Sequence, residues 1–197
     1  MRQFKGVLIG VLGSILLPLI CFSQENIKIE REVGIKERQV PGAAVDWLYD
    51  AFEKVKKPNW FQEFYQDGFS YEAKFKMGGN YYSVEFDSLG IIEDVEVELE
   101  LEELDRMVQD KLKSYFSENY QVYKINKIQI QYTGKKGDLE DFFDENEKEG
   151  ITVRYEIEYR GKESNKVDEI WEGTFTADGV LLTRRKIDIR ITDNLIF

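Results

Sequence analysis

The stretch Phe69 to Met77, FSYEAKFKM, alternates apolar and polar residues without a break. A period of two places Phe69, Tyr71, Ala73, Phe75 and Met77 on one face of a strand, and Ser70, Glu72, Lys74 and Lys76 on the other. Such a strand belongs in an antiparallel sheet with one face on a core and the other polar. Gly78, Gly79 and Asn80 supply a turn, and Tyr82, Val84 and Phe86 line one side of the next strand. After a second turn at Asp87 to Gly90 comes a strand with Val95, Val97 and Leu99 on one face and Asp94, Glu96, Glu98 and Glu100 on the other. Trp60 to Tyr65 is predicted as a further strand before these.

The order of elements then recurs. A helix predicted over 40–56 carries Val40, Ala44, Trp47, Leu48, Ala51, Phe52 and Val55 on one face, with Pro41 in its first turn and Pro58 after its end. A second, over 102–118, carries Leu104, Val108, Leu112 and Phe116. Strands follow again: Ile128, Ile130 and Tyr132 share a face, and ITVRYEIEYR from Ile151 alternates like its earlier counterpart. Leu48 and Phe52 match Leu112 and Phe116; Tyr82, Phe86 and Gly90 match Trp171, Phe175 and Gly179. The match breaks in the last strand, where Ile187, Ile189 and Ile191 take the opposite parity, as a β-bulge would produce.

The expected fold class is therefore α+β: two tandem modules, each a helix plus a four-stranded antiparallel sheet, with the helices packed on one face of a curved sheet. The expected division is a leader at 1–23, an N-terminal extension at 24–39, a first repeat at 40–100, a second at 101–191 with an insertion at 133–150, and a tail at 192–197.

Arg2 and Lys5 precede an apolar run from Gly6 to Ile20, which reads as a secretory signal peptide cleaved after Ser23. The run is short for a membrane span. The expected location is outside the cytoplasm, periplasmic or secreted. Cys21 is the only cysteine, so the mature chain would fold without a disulfide. A retained N-terminal anchor and a lipid on Cys21 are the alternatives, although Ile20 is larger than the residue that usually precedes a lipidated cysteine. Losing the leader leaves 25 basic residues against 38 acids, a net charge of −13, which argues against nucleic acid and anionic membranes as partners.

The helix opening VPGAAV, the strand YEAKF and the hairpin YYSVEFDSLGII, echoed by YEIEY and WEGTFTADGVLL, resemble the PepSY-like family of secreted bacterial proteins over about 40–189. The resemblance implies an architecture like that of β-lactamase inhibitor protein, in which the sheet face opposite the helices carries out inhibition. It carries no binding residue across.

There is no histidine, and no cysteine beyond the leader, which removes Ser–His and Cys–His nucleophile pairs and imidazole or thiolate metal sites. No G-x-S-x-G elbow or phosphate-binding glycine loop is present. No catalytic residue, cofactor or metal ligand is expected. The expected function is a non-enzymatic, protein-binding one, extending to inhibition of an envelope hydrolase by covering its active site. A small-molecule or calcium-binding role is the alternative, and a carboxylate-based hydrolase follows at a distance. An outer-membrane barrel is disfavoured by the two amphipathic helices and by strands shorter than a span needs. Candidate partner-binding residues are Lys74, Tyr81, Glu85, Arg154 and Glu172 on the polar strand faces, expected to form a broad surface of mixed charge, with Phe142 and Phe143 in the insertion. The acids of that insertion, Asp138 to Glu149, do not match the spacing of a calcium loop and are expected to form a mobile, solvated loop.

Overall fold

The computed structural model describes residues 27–28, 31–65, 68–164 and 167–187. The predicted leader at 1–23 and tail at 192–197 lie outside the described residues. Three helices, α1 (Gly42–Ala51), α2 (Arg106–Asn119) and α3 (Lys136–Glu145), accompany ten strands. The strands are β1 (Ile27–Lys28), β2 (Arg31–Ile35), β3 (Asn59–Tyr65), β4 (Gly68–Met77), β5 (Asn80–Phe86), β6 (Ile92–Leu99), β7 (Val122–Thr133), β8 (Thr152–Lys162), β9 (Asp168–Thr176) and β10 (Leu181–Ile187).

These strands make one sheet, and the expectation of two tandem four-stranded modules is overturned. Strands β2 to β10 pair in chain order, each antiparallel to the next. The join falls between β6 and β7, where Val95 to Leu99 pair with Tyr132 to Ile128. A boundary there would expose two rows of unpaired N–H and C=O groups in the middle of the protein; pairing the repeats edge to edge satisfies them.

The extension at 24–39 also has a structural role that alternation did not reveal. β1 pairs in parallel with β10 at one margin of the sheet, and β2 pairs with β3 at the other. Lys28 and Arg31 are three residues apart in the chain, a reach of about 10 Å. Laid flat, ten strands at their usual spacing would hold these margins about 43 Å apart. The sheet must be rolled so that one length of chain, from Ile27 to Ile35, hydrogen-bonds to both margins. Direction agrees with closure: eight antiparallel steps separate β2 from β10, so these two strands run the same way, and β1 runs with β10. β1 and β2 thus run in one direction.

The helices cover the outer face in two clusters. Ala44, Trp47, Leu48 and Ala51 of α1 pack on Trp60, Ala73, Val84, Phe86 and Val95. Val108, Leu112 and Phe116 of α2 pack with Ile128, Ile157, Tyr159, Trp171 and Phe175. The side chains matched between the repeats, Phe52 with Phe116 and Phe86 with Phe175, are almost fully buried in their respective clusters. Gly90 and Gly179, also matched, both close hairpins with positive φ (+83° and +78°); at Gly90 a Cβ would lie 2.7 Å from Pro41. The change of phase in the last strand is a register shift between Leu181 and Thr183.

The helix α3 corrects the expectation of a mobile acidic loop. Asp141, Asp144 and Glu145 face solvent, whereas Leu139 is fully buried and Phe143 packs on Phe52 and Tyr132, with ring centroids 4.9 and 5.5 Å apart. The Trp47 indole N–H donates to the Lys136 carbonyl (3.1 Å) and ties α3 to α1. Apolar side chains at Leu139, Phe142 and Phe143 give the segment a face to bury, which composition obscured.

Candidate functional site

Because the helices occupy the outer face, alternate residues of β2 to β10 point inward. Side chains from β2 to β10 line a single cavity of about 550 Å³. Its wall carries nine carboxylates (Glu32, Glu63, Glu72, Glu85, Glu96, Glu98, Glu156, Glu158, Glu172) against three lysines (Lys74, Lys76, Lys127). The volume falls in the range of small-molecule sites, but the polar lining is unlike most of them.

The acids stand directly across from one another. Glu72, Glu85 and Asp94 are cross-strand partners on β4, β5 and β6, and Glu158 faces Glu172 between β8 and β9. Like charges in such positions repel. Glu72, Glu96 and Glu172 are nonetheless buried, at 4%, 8% and 6% exposure. Each has partners: Ser83 donates to Glu72, Gln129 and Gln131 donate to Glu96 (2.7 and 3.2 Å), and Arg185 lies 2.5 Å from Glu172.

The electrostatic result is a set of carboxyls that hold protons unusually well. Burial, with the Glu72 and Glu85 charges added, pushes Glu63 up to about 8; Lys74 opposes this. Asp94 is raised well above the ordinary range by burial and then by Glu85 and Glu156. Glu96 is raised by burial, Glu156 and Asp94, with Lys127 opposing.

One side of the cavity has its own cation. Among the described residues, the one trio of acids spaced to share a metal ion is Glu32, Glu63 and Glu72, with an oxygen of each within 4.8 Å of the others. The Lys74 ammonium lies 3.0 Å from Glu32 and 2.8 Å from Glu72. Burial alone would lower the Lys74 pKa; the two carboxylates more than offset this and raise it. A tethered ammonium thus does there what a bound cation would do. Lys74→Met is expected to lower the melting temperature at pH 8, with millimolar calcium restoring part of the loss by entering the vacated trio. Calcium without effect on the variant would show that the trio cannot bind a metal even when freed.

Of the residues singled out from sequence, Lys74, Tyr81, Glu85 and Glu172 line the cavity. Arg154 shares its face, paired with Gln131 and Thr176. Tyr81 is 57% exposed, with the Lys76 ammonium 4.6 Å from its ring centre. Phe142 and Phe143 are on the other side of the sheet, in contact with Tyr132, and do not join this group. The expected broad surface of mixed charge is instead an inward-facing, mainly acidic wall. Glu32, Glu63, Asp94, Glu96 and Gln129 were not singled out. Alternation placed Asp94, Glu96 and Glu98 on the polar face, but a polar face normally meets water, and only closure turns it inward.

The class of fold is a rolled antiparallel sheet bounded by β1 and β2, with helices outside and a polar cavity within. A DUF2874 family protein from Bacteroides ovatus is similar to this chain, at TM-score 0.50 and 19% identity over 75% of this chain and 87% of that one. Another, from Bacteroides uniformis, superposes at TM-score 0.51 with 13% identity, over 75% and 89%. A BLIP-like protein from Bacteroides fragilis reaches TM-score 0.47 at 16% identity, over 75% and 86%. The likeness to the two DUF2874 proteins concerns the fold. No family model matches the sequence, so the PepSY-like resemblance rests on the quoted motifs alone, and no curated protein matches it. No helix among the described residues is long and apolar enough to cross a membrane.

Proposed function

We propose that this is an exported, non-enzymatic binding module whose acidic cavity takes a positively charged ligand. The observation that carries the reading is that, among the described residues lining the cavity, nine carboxylates stand against three lysines, with Glu172 also paired to Arg185. Carboxylates gathered behind low-dielectric walls focus a negative field and raise the local concentration of cations. Neutralising them would also relieve the repulsion between facing strands. Inhibition of an envelope hydrolase by a broad open sheet face, the form suggested by the sequence resemblance, has less support from a face that is rolled inward. A protein partner fits if it presents a basic side chain at the rim, and the exposure of Tyr81 favours that second reading.

The test is thermal melting at pH 8 and low salt with linear polyamines, lysine amide, arginine amide, calcium and neutral sugars. A ligand that binds only the folded state at a hundred times its Kd adds about 2.7 kcal/mol, or roughly 5–10 °C in a protein of this size. A rise with the organic cations and none with the sugars is expected. No rise with any cation would refute the reading.

A further inference from the structure

Gln129 is an uncharged residue set within an acidic wall. Its cross-strand partners are Glu98 on β6 and Glu156 on β8, and its amide nitrogen donates to Glu96. The residue is 6% exposed and lines the cavity, yet its Oε1 is buried without a hydrogen-bond donor. Leaving a buried acceptor in that state is unfavourable. With one Gln129 amide N–H committed to Glu96, the acceptors that this wall offers are Gln129 Oε1 and the carboxylates of Glu96 and Glu98. Lys127, whose charge reaches Glu96, is itself exposed to solvent.

A metal ion is a poor match. Among the described residues the acids spaced to share one are Glu32, Glu63 and Glu72, on the side that Lys74 already neutralises. A primary ammonium fits better, because it brings positive charge and three N–H donors on one atom, and those donors can reach acceptors set further apart than a single ion can bridge.

We infer that a protonated primary amine of a small organic polycation binds at the wall formed by Glu96, Glu98 and Gln129, donating to Gln129 Oε1 and neutralising the two carboxylates. This rests on the cavity being a cation site, and it assigns both the ligand class and the subsite. Lys74, two strands from Glu96, shows the same arrangement: an ammonium between two carboxylates.

The experiment is calorimetric titration of the full protein with spermine at pH 8 and low salt, repeated for Gln129→Leu, Glu96→Gln and Glu98→Gln. A hydrogen bond to a charged group contributes about 1.5–3 kcal/mol, so Gln129→Leu and Glu96→Gln should each weaken binding by about tenfold or more. Glu98 is exposed, so its variant carries little folding risk and should also weaken binding. If the parent binds spermine and all three variants match it, this wall is not the subsite, while the cation reading stands. A loss on Glu32→Gln as large as that on Gln129→Leu would place the amine beside Lys74 and overturn the assignment. Displacement of spermine by calcium, but not by sodium chloride of equal ionic strength, would identify a metal site and also overturn it. If the parent binds neither spermine nor the other cations, both the subsite and the cation reading fall.

Discussion

Leu112→Asp is expected to abolish the folded state, and to do so in one cooperative transition. Leu112 has no exposed surface and sits between α2 and the sheet with Val108, Phe116 and Ile157. Truncating such a leucine to alanine typically costs about 2–5 kcal/mol, and an unpaired carboxylate at the same place adds a desolvation cost of several more. The sum is comparable to the whole stability of an ordinary domain, about 5–15 kcal/mol. The consequence should extend beyond the second cluster. Because β6 and β7 are hydrogen-bonded, losing the strands under α2 exposes the edge on which the first cluster rests. Circular dichroism and tryptophan fluorescence of the variant should both report an unfolded chain at 25 °C. The milder Leu112→Ala should melt in a single step at a lower temperature than the parent. Two separated transitions would mean that the repeats fold independently and that the shared sheet does not couple them.

The second large effect is a stability that declines as pH rises from 5 to 8, opposite to the behaviour of a protein held by carboxylate salt bridges. Glu63 holds its proton up to about pH 8 in the folded state, against an ordinary value of 4.5. Below 4.5 it is protonated whether the chain is folded or not. Between 4.5 and 8 the folded state binds a proton that the unfolded state has released, so stability falls with pH across that window and levels off above it. Asp94 and Glu96 are raised in the same direction. The groups that face them from neighbouring strands, Glu72 on β4, Glu85 on β5 and Glu156 on β8, are acids, and Lys127 on β7 opposes only in part. Lys74 has a raised pKa, so its contribution is complete below 10.5 and is lost only above it; it does not reverse the trend. Three carboxyls raised together should lower the melting temperature by at least about 5 °C between pH 5 and pH 8. Glu96→Gln should flatten the profile and raise the melting temperature at pH 8. A parent protein more stable at pH 8 than at pH 5 would contradict this account of the interior. A bound organic cation should also flatten the profile, since it supplies at pH 8 the neutralisation that protons supply at pH 5.

The two effects divide the molecule into an outer apolar face and an inner acidic one, and the sequence was unequally informative about them. Alternation in FSYEAKFKM and ITVRYEIEYR, and helical spacing in Leu104, Val108, Leu112 and Phe116, determined the strands, the helices and the buried face, because local period alone decides which side chains share a surface. It also determined the limits of the chemistry, since a chain without histidine and with one cysteine has few nucleophiles to offer. The tertiary structure decided that the two repeats share one sheet, that Ile27 to Ile35 closes it, and that the polar face is therefore enclosed. Those are pairings between residues far apart in the chain. A strand's period is the same whether its edge is free or paired, and whether its polar face meets bulk water or nine carboxylates around a cavity. Gln129 illustrates the difference: in sequence it is one more polar residue on a strand, and only the enclosure leaves its carbonyl oxygen buried without a donor.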